Sequence, residues 1–282
     1  MNTQDALKLL YQSAESFSHT AALDAQVLLA HILGKSRAWV LAYPEAQLDD
    51  EQTNHIEHAC ARLNTGEPLP YILGTWEFFG LQFIVTPDVL IPRPETELLV
   101  EQALSWLQSN PARRRAADIG TGSGCIAVSL AYQIPDLQGI ATDISLAALQ
   151  VAKQNILLYE LGSRIHLVQA DLFSGICPPS DRQFDLICAN LPYIPNATLE
   201  TLSVSRWEPH LALYGGQDGL DLIRRLLEEI SDRLSPGGLL LLEIEACQGE
   251  AVETLAHNVF PTLIVSVLPD LEGRDRLVVI RR

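Results

Sequence analysis

The sequence predicts an α/β fold in which a mostly parallel sheet of seven strands follows a small helical domain. Two observations carry this prediction. From about residue 112 onward, short apolar runs alternate with helical stretches, as in parallel sheets covered by helices on both faces. The last two runs leave no room for a helix between them, so we expect an antiparallel pair at one edge. The predicted strands are 116–119, 139–142, 165–170, 184–189, 239–244, 262–268 and 276–280.

Three helical stretches are predicted between these strands, at 126–133, 146–158 and 219–234. Each carries apolar residues at helical spacing. Pro236, Gly237 and Gly238 follow the third stretch, and this combination predicts a turn before the next strand. No internal repeat or low-complexity segment interrupts the pattern.

Residues 1–66 are predicted to be helical because apolar side chains recur there at helical spacing. Gly34 is a plausible end of one helix, and Asp49 or Asp50 a plausible cap of a later helix that Gly66 ends. This segment contains no chemical motif. We interpret it as a packing or docking module.

A change of composition separates this module from the rest of the chain. The segments 71–79 and 81–85 are aromatic and β-branched, and Gly80 lies between them, which predicts a β-hairpin. The proline-rich segment 91–97 then opens a predicted helix at 98–107. The predicted organisation is a helical bundle at 1–68, a hairpin linker at 69–90 and a catalytic domain at 91–282.

Composition and charge restrict the function. The 282 residues carry a formal charge of −16, whereas a protein that grips a long nucleic-acid backbone normally shows a basic face. The five cysteines are scattered without CxxC spacing, which argues against disulfides and zinc and for a reducing compartment. No secretory signal and no apolar run of about 18 residues is visible. We therefore expect a cytoplasmic protein, a monomer that binds neither membranes nor nucleic acid.

A glycine-rich loop joins the first predicted parallel strand to its helix. Glycines let the chain turn tightly and let a ligand approach the backbone. A dinucleotide fingerprint would require glycine at 125, where this chain has Cys125, and no Walker-type Gly-Lys-Ser/Thr follows. Cys125 is interpreted as a small buried residue. The candidate ligand-binding residues of the loop are Gly120, Thr121, Gly122, Ser123 and Gly124.

Acidic residues end successive predicted strands on the same side of the sheet. Asp143 lies about twenty residues beyond the glycine loop, where a carboxylate can accept the hydroxyls of a ribose. Asp171 ends the third strand beside the expected base position, and Leu172 could pack on the base. The alternative is that Asp118, Asp143 and Asp171 merely cap the turns that follow them. Three acids at consecutive strand ends favour a nucleotide-type ligand.

The tetrad Asn190, Leu191, Pro192 and Tyr193 follows a buried apolar strand. An amide, a proline turn and an aromatic ring at the mouth of a strand suit the binding of a planar, uncharged NH2 group. Asn190 can accept its hydrogen bonds while the ring of Tyr193 covers it. The NH2 group could belong to a nucleobase or to an amide.

With these features the chain resembles the class I S-adenosylmethionine-dependent methyltransferases, which have a Rossmann-like sheet. Relatives of the Asn-Pro-Pro-Tyr motif mark enzymes that methylate planar nitrogens of DNA adenine or protein glutamine. The segments 66–68, 76–79, 91–97, 206–209 and 215–220 are similar to the HemK/PrmC family, so the resemblance spans about 66–282. The family methylates the side-chain nitrogen N5 of the glutamine in the Gly-Gly-Gln loop of class-one peptide-chain release factors.

The resemblance implies S-adenosylmethionine as the methyl donor and Asn190 as a contact of both donor and acceptor. A sister group that modifies a ribosomal protein typically has serine where this chain has Pro94, which favours release factors. Leu191 departs from the family's usual proline. The family residue at this place contributes its backbone carbonyl, which leucine also possesses. The implied catalytic residues are Asn190, Leu191, Pro192 and Tyr193.

The mechanism we expect is placement rather than acid–base chemistry. The Asn190 side-chain oxygen and the Leu191 carbonyl accept the two N–H bonds of the substrate amide, and the methylated amide loses its proton without a dedicated base. Arg93, Thr96 and Glu97 could close over the cofactor, and Arg206, Glu208 and the 215–220 loop could shape the cleft or only brace the fold. The rival interpretations are a ribosomal-protein glutamine methyltransferase, an N6-adenine methyltransferase of nucleic acid and a non-catalytic cofactor-binding module.

Overall fold

The computed structural model describes residues 1–176 and 183–282. Cys177 lies outside the described residues; Cys60, Cys125, Cys188 and Cys247 are free thiols. The chain divides into two units, Met1–Thr75 and Trp76–Arg282.

The first unit is helical, as the sequence predicts. Asn2 and Asp49 begin two of its helices with capping boxes, in which each cap side chain and the third helical residue exchange hydrogen bonds with the backbone. Gly34 ends another helix in the left-handed conformation. The helices are α1 (Thr3–Ala14), α2 (Ala21–Leu33), α3 (Arg37–Ala42), α4 (Asp50–Leu63) and α5 (Leu69–Leu73).

The structure corrects the predicted start of the hairpin. Residues 71–73 are helical and belong to α5, because Pro68 and Pro70 preset the first turn of a helix and Gly74 ends it in the left-handed conformation. The hairpin itself is confirmed, and it is shorter than predicted. Its strands are β1 (Thr75–Phe78) and β2 (Leu81–Ile84).

The second unit contains the predicted alternation of strands and helices. Its helices are α6 (Glu97–Ser109), α7 (Cys125–Gln133), α8 (Leu146–Leu158), α9 (Asn196–Leu199), α10 (Asp221–Glu229) and α11 (Gly249–Val259). Its strands are β3 (Arg115–Ile119), β4 (Gln138–Asp143), β5 (Ile165–Gln169), β6 (Phe184–Ala189), β7 (Leu234–Glu243), β8 (Ile264–Pro269) and β9 (Asp275–Arg281).

The seven strands form one sheet in the order β5-β4-β3-β6-β7-β9-β8. The first five are parallel, and β9 pairs antiparallel with both β7 and β8, as predicted for the last two runs. Ile119 of β3 pairs with Thr142 of β4 and with Ala189 of β6. The strand order therefore reverses at β3, and ligands of open α/β sheets bind at the carboxyl ends of the strands beside such a point.

Two boundaries near β7 correct the sequence prediction. Helix α10 is shorter than 219–234, since a 3-10 turn (Ile230–Asp232) follows it. Pro236–Gly238 is not a turn before the strand. It lies inside β7, where the register with β6 shifts, and the Gly237 N–H donates to the Arg282 carbonyl. Pairing of both flanks explains why a local turn signal is overridden.

Apolar side chains fill both faces of the sheet. One cluster includes Phe78, Phe83 and Leu107, and the other includes Phe173, Leu226 and Val252. Strand β6 is buried along its whole length. No helix in the described part of the chain combines the length and the apolarity that a membrane span requires.

Candidate functional site

A cavity of about 310 Å³ lies at the carboxyl ends of the parallel strands. The loops after β3, β4 and β6 contribute its wall, together with the segment before α6 and the segment before α10. Gly120 follows β3 and Asn190 follows β6, so the glycine loop and the tetrad face each other across the point where the strand order reverses.

The glycine loop approaches the tetrad closely. Gly120, Gly122 and Gly124 all have positive φ, which only glycine adopts readily. A Cβ on Gly120 would lie 3.0 Å from Cδ2 of Leu191, so a side chain at 120 would push against the tetrad. Gly124 caps α7 and is not part of the cavity lining.

Beneath the loop, Asp118 is buried and holds the loop to the helix. Its Oδ2 accepts from the Thr121 hydroxyl at 2.6 Å and from the Ala127 N–H at 3.2 Å. Burial raises the pKa of Asp118 to about 6, and these two hydrogen bonds oppose the rise. Asp118 therefore caps the turn that follows it, which is the alternative to ligand binding, and it does not line the cavity.

Asp143 lines the cavity and braces the glycine loop. Its Oδ2 accepts from the Gly122 N–H and its Oδ1 from the Ser145 N–H, both at 2.9 Å. Burial raises its pKa, and the backbone donors oppose the rise. Each oxygen keeps a lone pair that can accept a hydroxyl from the cavity.

Asp171 and Leu172 line the same wall. Asp171 is paired with Arg225 of α10 at 2.8 Å, and both side chains are about half exposed. Leu172 is buried with φ of 54°, a strained conformation for a leucine. Ile144, directly after Asp143, is 52% exposed and lines the cavity, so apolar surface is available there.

Asn190, Leu191 and Pro192 line the opposite wall. Leu191 is buried against the glycine loop, as its contact with Gly120 requires. Tyr193 is partly buried and does not line the cavity. Burial and the nearby Glu243 raise its pKa, so its hydroxyl keeps its proton.

The Asn190 amide is held from the side by Thr96. Asn190 Nδ2 donates to Thr96 Oγ1 at 3.0 Å. Thr96 is 2% exposed and stands at the start of α6. This contact leaves Asn190 Oδ1 as the acceptor that can serve a ligand in the cavity.

An ion pair lies beside the cavity, with one of its two partners in the lining. Arg93 Nη2 contacts both carboxylate oxygens of Glu208, at 2.7 and 2.6 Å. The Glu208 side chain is 1% exposed, and its pKa is raised because burial outweighs the guanidinium of Arg93. Arg93 lines the cavity, whereas Glu97 points elsewhere and accepts the Phe79 N–H. Arg206 is exposed and also lies outside the lining.

The loop before α10 packs directly on the tetrad. A Cβ on Gly215 would lie 2.7 Å from Tyr193 Cα and 2.8 Å from the Pro192 carbonyl oxygen, so only glycine allows this approach. Gln248 Nε2 donates to the carbonyls of Tyr193 and Gly219 at 3.1 and 3.4 Å. The sequence predicts that the 215–220 loop either shapes the cleft or only braces the fold. Gly215 does both, since it lines the cavity and packs against the tetrad.

The structure brings most of the predicted site residues to one cavity. Of the predicted catalytic and cofactor-binding residues, Gly124 and Tyr193 lie outside the lining, as do the further candidates Glu97, Asp118, Arg206 and Glu208. Sequence reasoning missed Ile144, Arg225, Gln248 and Glu243. For Glu243 a signal existed, because it is an acid between leucines 239–242 and Ile244 in an apolar strand.

The titratable residues of the described cavity lining are four aspartates, two arginines, one cysteine and one tyrosine. None of the described lining residues is a histidine, and Cys125, which is 9% exposed, has a pKa raised by burial to about 12. Across residues 1–176 and 183–282, no group of three or more histidine, cysteine, aspartate or glutamate side chains is placed to hold a metal ion.

Known families match both parts of the chain. Residues 5–74 match the family model described as PrmC N-terminal domain. Residues 95–206 match the model described as methyltransferase small domain.

Curated relatives match the chain over nearly its full length. A release factor glutamine methyltransferase of Moorella thermoacetica is 45% identical over 90% of this chain and 89% of its own. One of Cereibacter sphaeroides is 42% identical over 99% of this chain and 98% of its own. Among solved structures, a methyltransferase from Pyrococcus furiosus has a TM-score of 0.51 at 18% identity, covering 72% of this chain and 89% of that one. This structural likeness concerns the fold alone.

Proposed function

The chain belongs to the family of release factor glutamine methyltransferases, and from that premise we propose that it methylates a glutamine side chain with S-adenosylmethionine as the donor. The proposed acceptor atom is N5 of the glutamine in the Gly-Gly-Gln loop of class-one peptide-chain release factors. The observation that carries the proposal is the Asn190 amide, whose Nδ2 donates to Thr96, which leaves Oδ1 to accept from a ligand in the cavity that Asn190 shares with the glycine loop.

The cavity fits a nucleoside-type methyl donor. Its volume of about 310 Å³ lies at the lower end of the range for small-molecule sites, about 300 to 1,000 Å³. When bound, S-adenosylmethionine supplies an electrophilic methyl group on a sulfonium. Asp143 lines the cavity, which supports a role in accepting ribose hydroxyls, and the apolar side chains of Ile144 and Leu172 in the same lining support contact with a base. The proposed cofactor-binding residues are Gly120, Thr121, Gly122, Ser123, Gly124, Asp143, Asp171, Leu172 and Asn190.

The tetrad orients the acceptor. An amide nitrogen is a poor nucleophile, so the gain in rate comes from its placement and from acceptors aimed at its N–H bonds. Asn190 Oδ1 and the Leu191 carbonyl provide two such acceptors, and Pro192 fixes the turn that presents them. Tyr193 supports this turn from outside the cavity lining, where its carbonyl is held by Gln248. A methylated amide that still carries both protons is strongly acidic, so it releases one without a dedicated base.

The charges around the cavity support a protein acceptor rather than a nucleic acid. Arg93 and Arg225 are the cationic side chains of the described lining, and each is paired with a carboxylate of this chain, Glu208 or Asp171. Because these pairs already neutralise both arginines, little positive charge is left for a phosphate, and the net charge of −16 opposes phosphate binding further.

We also propose roles for the segments of the chain, an oligomeric state and a compartment. The helical segment 1–68 would assist docking of the protein substrate, 69–90 would link it to the catalytic domain 91–282, and the enzyme would act as a monomer in the cytoplasm. Exposed aromatic side chains of this segment, such as Phe17 and Tyr43, support a docking role.

Peptide mass spectrometry tests the function. Purified enzyme and cofactor are incubated separately with a class-one release factor, with the same factor carrying asparagine for the loop glutamine, with a ribosomal protein and with DNA. We expect one methyl group on the loop glutamine of the natural factor and none elsewhere. Methylation of the ribosomal protein or of DNA alone would overturn the assignment of substrate. No methylation of any acceptor, despite cofactor binding, would favour a non-catalytic module.

A further inference from the structure

Glu243 is a buried carboxylate that the proposed chemistry leaves without a role. It ends β7 and is 2% exposed. Neither of its oxygens makes a hydrogen bond of regular geometry with any residue of the described chain. Burying a carboxylate without such partners costs free energy, so its presence in this position needs an explanation.

Two hydroxyl groups of the site surround this carboxylate. The Thr96 and Tyr193 hydroxyls lie close enough to Glu243 to oppose the rise in its pKa. Thr96 Oγ1 also accepts the hydrogen bond from Asn190 Nδ2 at 3.0 Å. Thr96 therefore lies between the buried carboxylate and the proposed catalytic amide.

The number of protons on these groups decides how the amide points. An ionised carboxylate can only accept hydrogen bonds, and a hydroxyl has one proton to donate. When the Thr96 proton points to Glu243, the Thr96 oxygen can only accept from Asn190. The amide must then turn its NH2 group toward Thr96 and its Oδ1 toward the cavity.

We propose that Glu243 is a positioning residue that sets the orientation of the Asn190 amide through the Thr96 hydroxyl. The inference rests on the proposed function, in which Asn190 Oδ1 accepts an N–H of the substrate amide. The Tyr193 hydroxyl also lies beside this carboxylate and can donate to it when the carboxylate is ionised, which would anchor both ends of the tetrad.

Protonation of Glu243 removes this control. A carboxylic acid can donate to Thr96, and Thr96 can then donate to Asn190 Oδ1. The amide is free to turn over and present its NH2 group to the NH2 group of the substrate, where donor faces donor. Burial raises the pKa of Glu243 to about 7, so this loss occurs near neutral pH.

Other charged and titratable groups also face Glu243. Arg276 approaches from β9 and lowers the pKa of Glu243, while Glu95 approaches from the turn before α6 and raises it. Cys125 lies on α7, and its thiol stays protonated in this range because its own pKa is raised to about 12. The Tyr193 hydroxyl also stays protonated. Glu243 is thus the group of this cluster whose raised pKa falls near neutrality.

The pH dependence of kcat tests the proposal. Wild type, Glu243→Gln and the matched control Glu245→Gln are assayed on a release factor between pH 5.5 and 9 at saturating cofactor. We expect the wild-type kcat to fall about tenfold per pH unit below about 7, as for any single essential ionisation. Glu243→Gln should have a kcat lower by about tenfold at pH 8, because Gln can offer Thr96 either a donor or an acceptor, and it should lack this acid limb. Glu245→Gln should keep the wild-type profile.

A pair of variants at Thr96 separates positioning from packing. Thr96→Ser keeps the hydroxyl and should retain kcat, whereas the isosteric Thr96→Val should lose about tenfold or more. Cofactor Kd, measured for every variant, should stay within about threefold of wild type, which shows that the fold is retained.

Several results would overturn the inference. These are a Glu243→Gln enzyme that keeps the wild-type acid limb, one that keeps the wild-type kcat at pH 8, and a Thr96→Val enzyme as active as Thr96→Ser. Absence of methylation by the wild-type enzyme is a different result, since it overturns the proposed function and this inference with it.

Discussion

The two halves of the cavity are built in different ways. The half at the ends of β3 and β4 relies on backbone: glycines with positive φ turn the loop, and Asp143 is held by two N–H groups close by. The half at the end of β6 relies on side chains from distant parts of the chain. Thr96 holds Asn190 across 94 positions of sequence, and Arg93 holds Glu208 across 115. We call these the backbone half and the side-chain half.

The two halves meet different requirements, which are the binding of the cofactor and the orientation of the acceptor amide. A cofactor that is the same in many enzymes can be bound by a loop whose geometry is local. An acceptor amide must be oriented within narrow limits, which requires buried side chains fixed by further partners. Variants in the two halves should therefore affect different measured quantities.

The largest effect is expected from Asn190→Ala in the side-chain half. The variant removes one of the two acceptors proposed for the substrate amide, so we expect kcat to fall about a hundred- to a thousandfold. Single-turnover methylation of the release factor measures the change. A kcat within threefold of wild type would remove Asn190 from the catalytic machinery.

Asp143→Ala should produce the next largest effect, in the backbone half. Loss of the carboxylate that we propose accepts the ribose hydroxyls should weaken cofactor binding by about ten- to a hundredfold. At saturating cofactor, kcat should stay near the wild-type value. Calorimetric titration with S-adenosylmethionine measures the affinity, and a change in kcat alone would argue against this role.

Glu208→Gln removes the charged partner of Arg93, which lines the cavity. Burial raises the Glu208 pKa in spite of Arg93, which is about one third exposed, so loss of the charge should change the unfolding free energy by less than about 1 kcal/mol. The KM for the release factor should rise severalfold with a smaller change in kcat. Urea unfolding and steady-state kinetics measure the two effects. An unchanged KM would show that the ion pair only braces the fold.

The free energy of unfolding should depend on pH through two buried carboxylates, Asp118 below the backbone half and Glu243 beside the side-chain half. Their pKa values are raised by burial to about 6 and about 7, so the folded state binds these protons more tightly than the unfolded state. Their contribution to stability is fully present below about pH 4 and is lost as pH rises through 6 to 7. Glu243→Gln should then be more stable than wild type at pH 8, by about 1–3 kcal/mol. Thermal unfolding at pH 8 measures this, and a destabilised variant would contradict it.

The smallest effect is expected from Leu191→Pro. The proline keeps the backbone carbonyl that the mechanism uses, and residue 191 already precedes Pro192, so we expect kcat to change by no more than about threefold. The leucine contact with the glycine loop is lost, and a slight weakening of cofactor binding should follow. A tenfold loss of kcat would show that the Leu191 side chain itself contributes to the tetrad.

Features of the site that depend on residues adjacent in sequence could be predicted, whereas contacts between distant residues could not. The glycine loop and Asp143 are recognisable because their chemistry follows from residues adjacent in sequence and from the ends of strands. The tetrad is recognisable for the same reason. The pairing of Thr96 with Asn190 is not, because it depends on how α6 packs beside β6.

The errors in the predicted fold have a similar origin. Residues 71–73 have the composition of a strand, and Pro68 and Gly74 nevertheless make them a helix. Pro236–Gly238 reads as a turn, and pairing on both sides draws it into β7. In both cases the neighbouring structure outweighs the local preference.

Titration of the Asn190→Ala variant with S-adenosylmethionine tests the separation of the two halves most directly. We predict a cofactor Kd within about threefold of wild type in the same preparation that has lost about a hundredfold or more in kcat. A Kd weakened in proportion to kcat would contradict the account, because Asn190 would then serve mainly to bind the cofactor.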